Sequence, residues 1–388
     1  MIVTLKDITA KITKGTTPTS IGCKFEKSGI NFIKSESLVD GKTIDKSKFA
    51  FISERTHERL KRSQIEENDI LFSMAGMFLG KTGIATAEVV PANTNQAVAI
   101  IRVDDTKANY EYVYYYLNQK SVIHTINTTS AQSAQPNINL KQIGEIKINL
   151  PDRKKQDQIV SLLSAIDLKI SNNVEINDNL EQQTAALFSS LYNRSNTEVR
   201  YTDLIQILGG GTPKTGEPAY WNGNIAFFTP KDVGAPYTFI TEKTITEEGL
   251  SHCNSRLYPV NTVFVTARGT VGKVGLSGVP MAMNQSCYAL VGKETHQLLV
   301  YFYTLKAVDR LKHKASGAVF DAITTRDFDS EQIMKLSDDD AKAFLCVAEP
   351  MFQEILNNSI ENLRLSTLRD FLLPKLMSGE IDVSSVQL

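Results

Sequence analysis

The chain has 388 residues and no run of eighteen apolar residues, which excludes the usual membrane-spanning helix. Its opening stretch, MIVTLKDITAKITKG, scatters lysines through a short apolar alternation where a signal peptide needs an unbroken apolar stretch. The expected compartment is the cytoplasm. Cysteine is scarce: Cys23, Cys253, Cys287 and Cys346 form no CxxC pair, which argues against a zinc or redox site and predicts buried free thiols. The five histidines are dispersed, and there is no HExxH, GxSxG or NPPY-type tetrapeptide. GMFLGKT (76–82) resembles a phosphate-binding P-loop but is one residue short. Its later counterpart GTVGKV lacks the hydroxyl that would hold magnesium. Glu145 and Lys147 sit as a nuclease ExK would, yet the nearby Pro151-Asp152 follows them. These absences leave no assembled catalytic group, no metal site and no cofactor expected on this chain.

What is present is enough apolar material for a sizeable core, at 42% hydrophobic residues, and a length that favours two or three domains. The overall charge of −1 is unevenly distributed: +4 over 1–150, −2 over 151–199, +2 over 200–336 and −5 over 337–388. Two mildly basic blocks suit two surfaces for a polyanion. Excesses this small are equally compatible with no such division.

The basic blocks are copies of one another. At an offset of 195, GTTP (15–18) falls on GGTP (210–213), and INFIKSESL (30–38) on IAFFTPKDV (225–233). With small indels, NDILFSMAG (68–76) matches NTVFVTARG (261–269), TNQA (94–97) matches MNQS (283–286), and YVYYYL (112–117) matches VYFYTL (300–305). A period this long describes two whole domains. DILFSM, AVAIIRV and TVFVTA read as alternating strands between turn signals, and the aromatic segments as amphipathic helices, giving an α+β domain twice. In the opening loops, Lys14, Thr16 and Thr17, with Thr212, Lys214 and Thr215, are candidate phosphate contacts. A tight turn packed on its own domain is the alternative for each.

Between and after the copies the period changes to a heptad. Ile159, Leu163, Ile166, Ile170, Asn173, Asn177, Leu180, Thr184, Leu187 and Leu191 recur by fours and threes. An offset of 185 reproduces the seam from Phe344 to Leu376, and Asn358 and Asn362 repeat the polar interruption. Asparagine in an apolar seam costs stability and fixes register, so the two long helices should pair, and because the first leaves one domain for the other while the second is free to return, an antiparallel coiled coil is expected. Paired positions should sum to 535, with Asn173 near Asn362 and Asn177 near Asn358. Two surface helices, each on its own domain, remain the alternative.

The combination resembles the DNA specificity subunit of type I restriction-modification enzymes. The resemblance rests on the GTTP-like loops, AQPNINLKQIGEIKINLP leading into the long helix, and the terminal LRDFLLPKLMSGEIDV. One departure is KLSDDDAKAF where the first helix opens NLPDRKKQDQ. The resemblance implies two target-recognition domains (1–150 and 196–336), a central spacer helix (151–195) and a terminal spacer helix with its tail (337–388). It also implies a non-catalytic chain in which each domain reads half of a bipartite double-stranded DNA target. The helices would set the spacing and dock two modification subunits, which carry S-adenosylmethionine. Restriction subunits carrying ATP and Mg are optional further partners, and no membrane is involved. Candidate DNA-reading elements besides the opening loops are Lys34, Ser35 and Glu36 with Thr229 and Lys231, and the turns bearing Ser73 and Lys81 and bearing Arg268, Thr270 and Lys273. Arg268 leads, because an arginine on a glycine-turned loop can bond a guanine edge in two places or clamp a phosphate. On the residues alone, a recognition subunit for a fused methyltransferase-nuclease and a coiled-coil scaffold without a DNA role stay open.

Overall fold

The same strand order occurs twice. In a computed structural model that describes residues 1–39, 41–130, 137–234, 236–314 and 321–383, Thr9–Lys14, Val98–Val103, Ile70–Ser73 and Thr82–Ile84 form an antiparallel sheet in that order. Ile205–Gly209, Cys287–Gly292, Val263–Thr266 and Val274–Ser277 form its counterpart, extended by Tyr237–Thr238. Each copy adds a second sheet centred on a parallel pair, Ile30–Ile33 with Ala92–Thr94 and Trp221–Phe228 with Met281–Met283. Residues 134–136 of the AQPNINL motif and 384–388 of the tail lie outside the described residues.

Alternation along the central strands divides each copy into two cores. Ile70 and Phe72 face one apolar cluster and Leu71 the other. Val263 and Val265 likewise separate from Phe264. Period two sends neighbours to opposite faces, and because both faces are covered, every residue of Ile70–Ser73 and Val263–Thr266 is buried. The aromatic segments are less amphipathic than the sequence predicts. Tyr110–Leu117 buries five of its eight residues, and its hydroxyls find partners, as buried tyrosines require: Tyr112 donates to Asn149 O at 2.6 Å and Tyr115 to Asp167 Oδ2 at 2.5 Å. The prediction for cysteine is corrected too. Only Cys287 is buried, while Cys23 and Cys253 are intermediate and Cys346 is exposed. Burial pushes the Cys287 thiol up to about 12.

Two long helices run from Arg153 to Arg194 and from Asp338 to Ser378. Asp152 Oδ1 caps the first by accepting from Lys155 N at 3.0 Å, and Ser337 Oγ the second by accepting from Asp340 N at 3.1 Å. The chain divides into a unit of Met1–Leu168 with Leu365–Leu388 and a unit of Lys169–Arg364. These boundaries cut through both helices, where the sequence places them at the helix ends. The reason is packing. Ile159 and Leu163 share the first unit's core with Leu373, Leu376 and Met377, whereas Phe188 and Leu191 share the second unit's core with Phe344, Ala348 and Ile355. The helices therefore pair with each other, and each also contributes to the cores of both units. Gln156, 1% exposed, ties the first helix down by accepting from Asn109 N at 2.9 Å. At the 185 offset its place is taken by Ala341, so the departure noted in KLSDDDAKAF removes that bond.

Within the second unit the polar layers lie in antiparallel register. Asn173 Nδ2 donates to Asn362 Oδ1 at 2.9 Å, and Asn358 Nδ2 donates to Asn177 Oδ1 at 3.0 Å. The offset of 185 exchanges these two bonds, as a local pseudo-twofold requires. Thr184, whose Oγ1 donates to Leu180 O at 2.7 Å and lies 3.3 Å from Met351 Sδ, continues the sum of 535. Asn358 is 6% exposed. Asn177→Leu strands its amide and is expected to cost about 1–3 kcal/mol, whereas the double variant with Asn358→Leu should recover most of that loss. Chaotrope unfolding of the single and double variants checks this. An undiminished loss in the double variant would show that the amides do not act as a pair.

Candidate nucleic-acid interface

The antiparallel registers bring particular loops to one end of each sheet. In the first unit Lys14 is opposite Ala99, Ser73 opposite Val98, and Phe72 opposite Thr82. The opening loop, the TNQA turn and the Gly76–Lys81 turn therefore emerge together. In the second unit Gly209 is opposite Tyr288, Thr266 opposite Cys287, and Val265 opposite Val274, which gathers the equivalent three loops. The parallel pairs end Ile33 beside Thr94 and Phe228 beside Met283, so Lys34–Glu36 and Thr229–Asp232 leave from the same end.

The same bonds lock both clusters. Thr16 N donates to Thr94 O at 3.1 Å, and Gly211 N to Met283 O at 3.1 Å. The Thr17 hydroxyl donates to Gln96 Oε1, and the Thr212 hydroxyl to Gln285 Oε1. Met74 N and Ala267 N donate to Ala97 O and Ser286 O, each at 2.8 Å, while Ile138 N and Ile323 N donate to Met74 O and Ala267 O, each at 2.9 Å. The opening glycine is needed for close approach: a Cβ on Gly15 would stand 1.8 Å from Thr94 O, and one on Gly210 2.2 Å from Asn284 O. The later turns need left-handed backbone, with φ of 71° and 84° at Gly76 and Gly80, and 80° and 74° at Gly269 and Gly272. That accounts for the P-loop-like GMFLGKT, which is a strand-to-strand turn whose Thr82 hydroxyl donates to Asn118 Oδ1 at 2.9 Å.

The candidate residues divide by exposure. Lys214, Thr215, Lys231, Arg268, Thr270 and Lys273 are exposed, while Lys14, Thr16, Thr17, Lys34, Ser35, Lys81, Thr212 and Thr229 are half-buried. Glu36 is exposed and pairs with Lys34 at 3.6 Å. Thr229 spends its hydroxyl on Asp232 Oδ2 at 2.6 Å, Thr270 donates to Pro230 O at 3.0 Å, and Lys231 lies 3.5 Å from Glu242. Arg268 has no carboxylate partner among the described residues. Ser73 is a correction: at 0% exposure on a strand covered on both faces, it cannot reach a bound duplex. Gln96 and Gln285 are exposed residues that the sequence reading missed. Each has its Oε1 held by a threonine and its amide group left to donate, a chemistry that pairs with base edges. The signal was their recurrence in TNQA and MNQS. Asn95 and Asn284 in the same motifs are structural, accepting from Ala97 N and Ser286 N at 3.0 Å each.

Among the described residues no group of three or more His, Cys, Asp or Glu could hold a metal ion, and no helix is long and apolar enough to cross a membrane. The family described as type I restriction modification DNA specificity domain matches residues 1–182 and again 193–335. The type I restriction enzyme HindI specificity subunit of Haemophilus influenzae is 23% identical over 355 residues, covering 70% of this chain and 77% of that one. The EcoR124I/EcoR124II specificity subunit of Escherichia coli is 27% identical over 234 residues, covering 55% and 54%. In fold, the chain is similar to the crystal structure of a type I restriction-modification system S subunit from M. genitalium, with a TM-score of 0.59 at 15% identity over 97% of this chain and 95% of that one.

Proposed function

We propose that this chain, which belongs to the family of type I restriction modification DNA specificity proteins, reads double-stranded DNA with the two duplicated loop clusters, one for each half of a bipartite target. The observation that carries this reading is the repetition of the same locked framework around different exposed side chains. Thr17–Gln96 and Thr212–Gln285 conserve the scaffold, while Ala75 and the exposed Met77 stand in one turn where the exposed Arg268 and Thr270 stand in the other. A rigid frame with variable tips is what sequence readout requires, because backbone contacts fix position and side chains specify bases. As a specificity subunit the chain is non-catalytic and works within a larger assembly. We assign methylation, with S-adenosylmethionine, to two modification subunits docked on the long helices. Where restriction subunits join, ATP and Mg belong to them. The paired helices set the gap between the half-targets.

Methylation mapping in cells that express the reconstituted complex tests this reading. A bipartite motif with a fixed gap is expected, and methylation without such a motif would sink it. Arg268 supplies a finer test. If its guanidinium bonds a guanine edge, Arg268→Ala costs about 1–3 kcal/mol at one position of one half-target and leaves the other half readable. Weakening that is uniform over all sequences, with a shallower salt dependence, would assign Arg268 to a phosphate.

A further inference from the structure

The two units differ in charge beside their opening loops. In the first unit a short helix, Glu54–Arg59, is capped by Ser53, whose Oγ accepts from Thr56 N at 3.3 Å. From its end, Arg59 Nη2 donates to Ile21 O at 3.1 Å, and Nη1 lies 3.1 Å from Cys23 Sγ. One turn later Arg62 Nη2 donates to Thr16 Oγ1 at 3.2 Å, within the loop whose next residue bonds Gln96. Both arginines are exposed, every acceptor they use is neutral, and neither has a carboxylate partner among the described residues. Neutral acceptors orient a guanidinium without cancelling its charge. Five N–H donors are available on each, and these contacts use two on Arg59 and one on Arg62.

The second unit repeats the backbone without a cation at either of these two positions, the exposed Arg256 lying one residue beyond the second. Its helix Glu247–Ser251 is capped by Thr246, which accepts from Gly249 N at 3.0 Å. The local offset of 193 also superposes Asn68 on Asn261, both with a φ of 69°. That register sets His252 opposite Arg59, Ser255 opposite Arg62 and Glu248 opposite Arg55. His252 stacks on Tyr220 at 4.9 Å between ring centroids, and Ser255 is 8% exposed with its Oγ accepting from Met283 N at 2.9 Å.

We infer that Arg59 and Arg62 form a phosphate anchor on the first unit that the second unit lacks, so that the two readers share the electrostatic part of DNA binding unequally. The inference rests on the DNA-reading role proposed above. Phosphates are the full negative charges that a duplex offers, and neutralising them releases counterions, which makes affinity fall with salt.

The test uses the complete complex with its modification subunits and two duplexes, one with the mapped target and one without it. Binding is followed by fluorescence anisotropy over a salt series. The double variant Arg59→Gln/Arg62→Gln is expected to weaken binding to both duplexes by the same factor and to reduce the slope of log affinity against log salt by about 2. The double variant Arg59→Lys/Arg62→Lys keeps the charge and should keep most of the slope. His252→Gln in the second unit should leave it unchanged, and matched thermal melts establish that the glutamine variant is folded. An unchanged slope in a folded glutamine variant, or a changed methylation motif, would overturn the anchor. If the wild-type complex binds neither duplex in a salt-dependent way, the DNA-reading role falls with it.

Discussion

Gly210→Val is expected to abolish reading of one half-target while the other half stays readable. A Cβ at this position would lie 2.2 Å from Asn284 O and 2.6 Å from Met283 O, and both obstacles are backbone that the adjoining sheet holds in place. Asn284 N donates to Phe228 O at 3.0 Å, and Met283 closes the strand parallel to Trp221–Phe228. The opening loop has to lift instead. Lifting breaks the bond from Gly211 N to Met283 O and pulls the Thr212 hydroxyl from Gln285, so two loops lose their relative position at once. Overpacking of this kind costs about 1–3 kcal/mol. The functional loss is larger than that figure suggests, because base readout depends on the placement of both loops. Gly15→Val should remove the opposite half-target by the same route, since its Cβ would stand 1.8 Å from Thr94 O. Methylation mapping of both variants provides the measurement. An unaltered bipartite motif in Gly210→Val would show that the opening loop is not part of the reader.

The glycines also show how far the sequence alone carries. Their recurrence at 15 and 210 marks the duplication but not what the two residues do. Neither of these two has a positive φ. They serve close approach to a strand end more than seventy residues away in the chain, which no local pattern encodes. Strands were legible because period two is local, and Ile70–Ser73 and Val263–Thr266 fall inside DILFSM and TVFVTA. The burial of Ser73 was not legible, because it depends on a second sheet covering the other face. The heptad seam carried enough to set Asn173 against Asn362, since an apolar stripe with matching polar interruptions admits few registers. It did not reveal that each helix is shared between two cores. That sharing comes from Phe188, Leu191 and Tyr192 facing the domain as well as the partner helix. Arg59 and Arg62 escaped notice because their meaning lies in the neutrality of what they touch.

The sharing of the helices leads to the largest expected change in stability, at Phe302. This residue is 2% exposed on the helix Gln297–Lys314. Its ring stacks on Phe188 of the first long helix at 5.0 Å, and meets Phe344 and Phe352 of the second edge-on at 5.3 and 5.5 Å. Three helices of the second unit therefore meet on one ring. Phe302→Ala removes the apolar transfer energy, the contacts with three aromatic rings of the long helices and a fourth with Tyr301, and the support for both long helices, and backbone on three sides limits how far the cavity can collapse. A loss of about 3–5 kcal/mol is expected, a large share of the ~5–15 kcal/mol that holds a typical domain together. Phe302→Leu, which keeps most of the volume, should cost less than half as much. At the equivalent place the first unit has Tyr114, whose ring meets Tyr115 at 5.5 Å, and among the described residues the four-ring contact is particular to the second unit. Chaotrope unfolding of the full chain should accordingly show the second unit's transition moving to lower concentration while the first unit's stays in place. A shift worth less than about 1 kcal/mol in Phe302→Ala would mean that the helices are held to the domain by something other than this cluster.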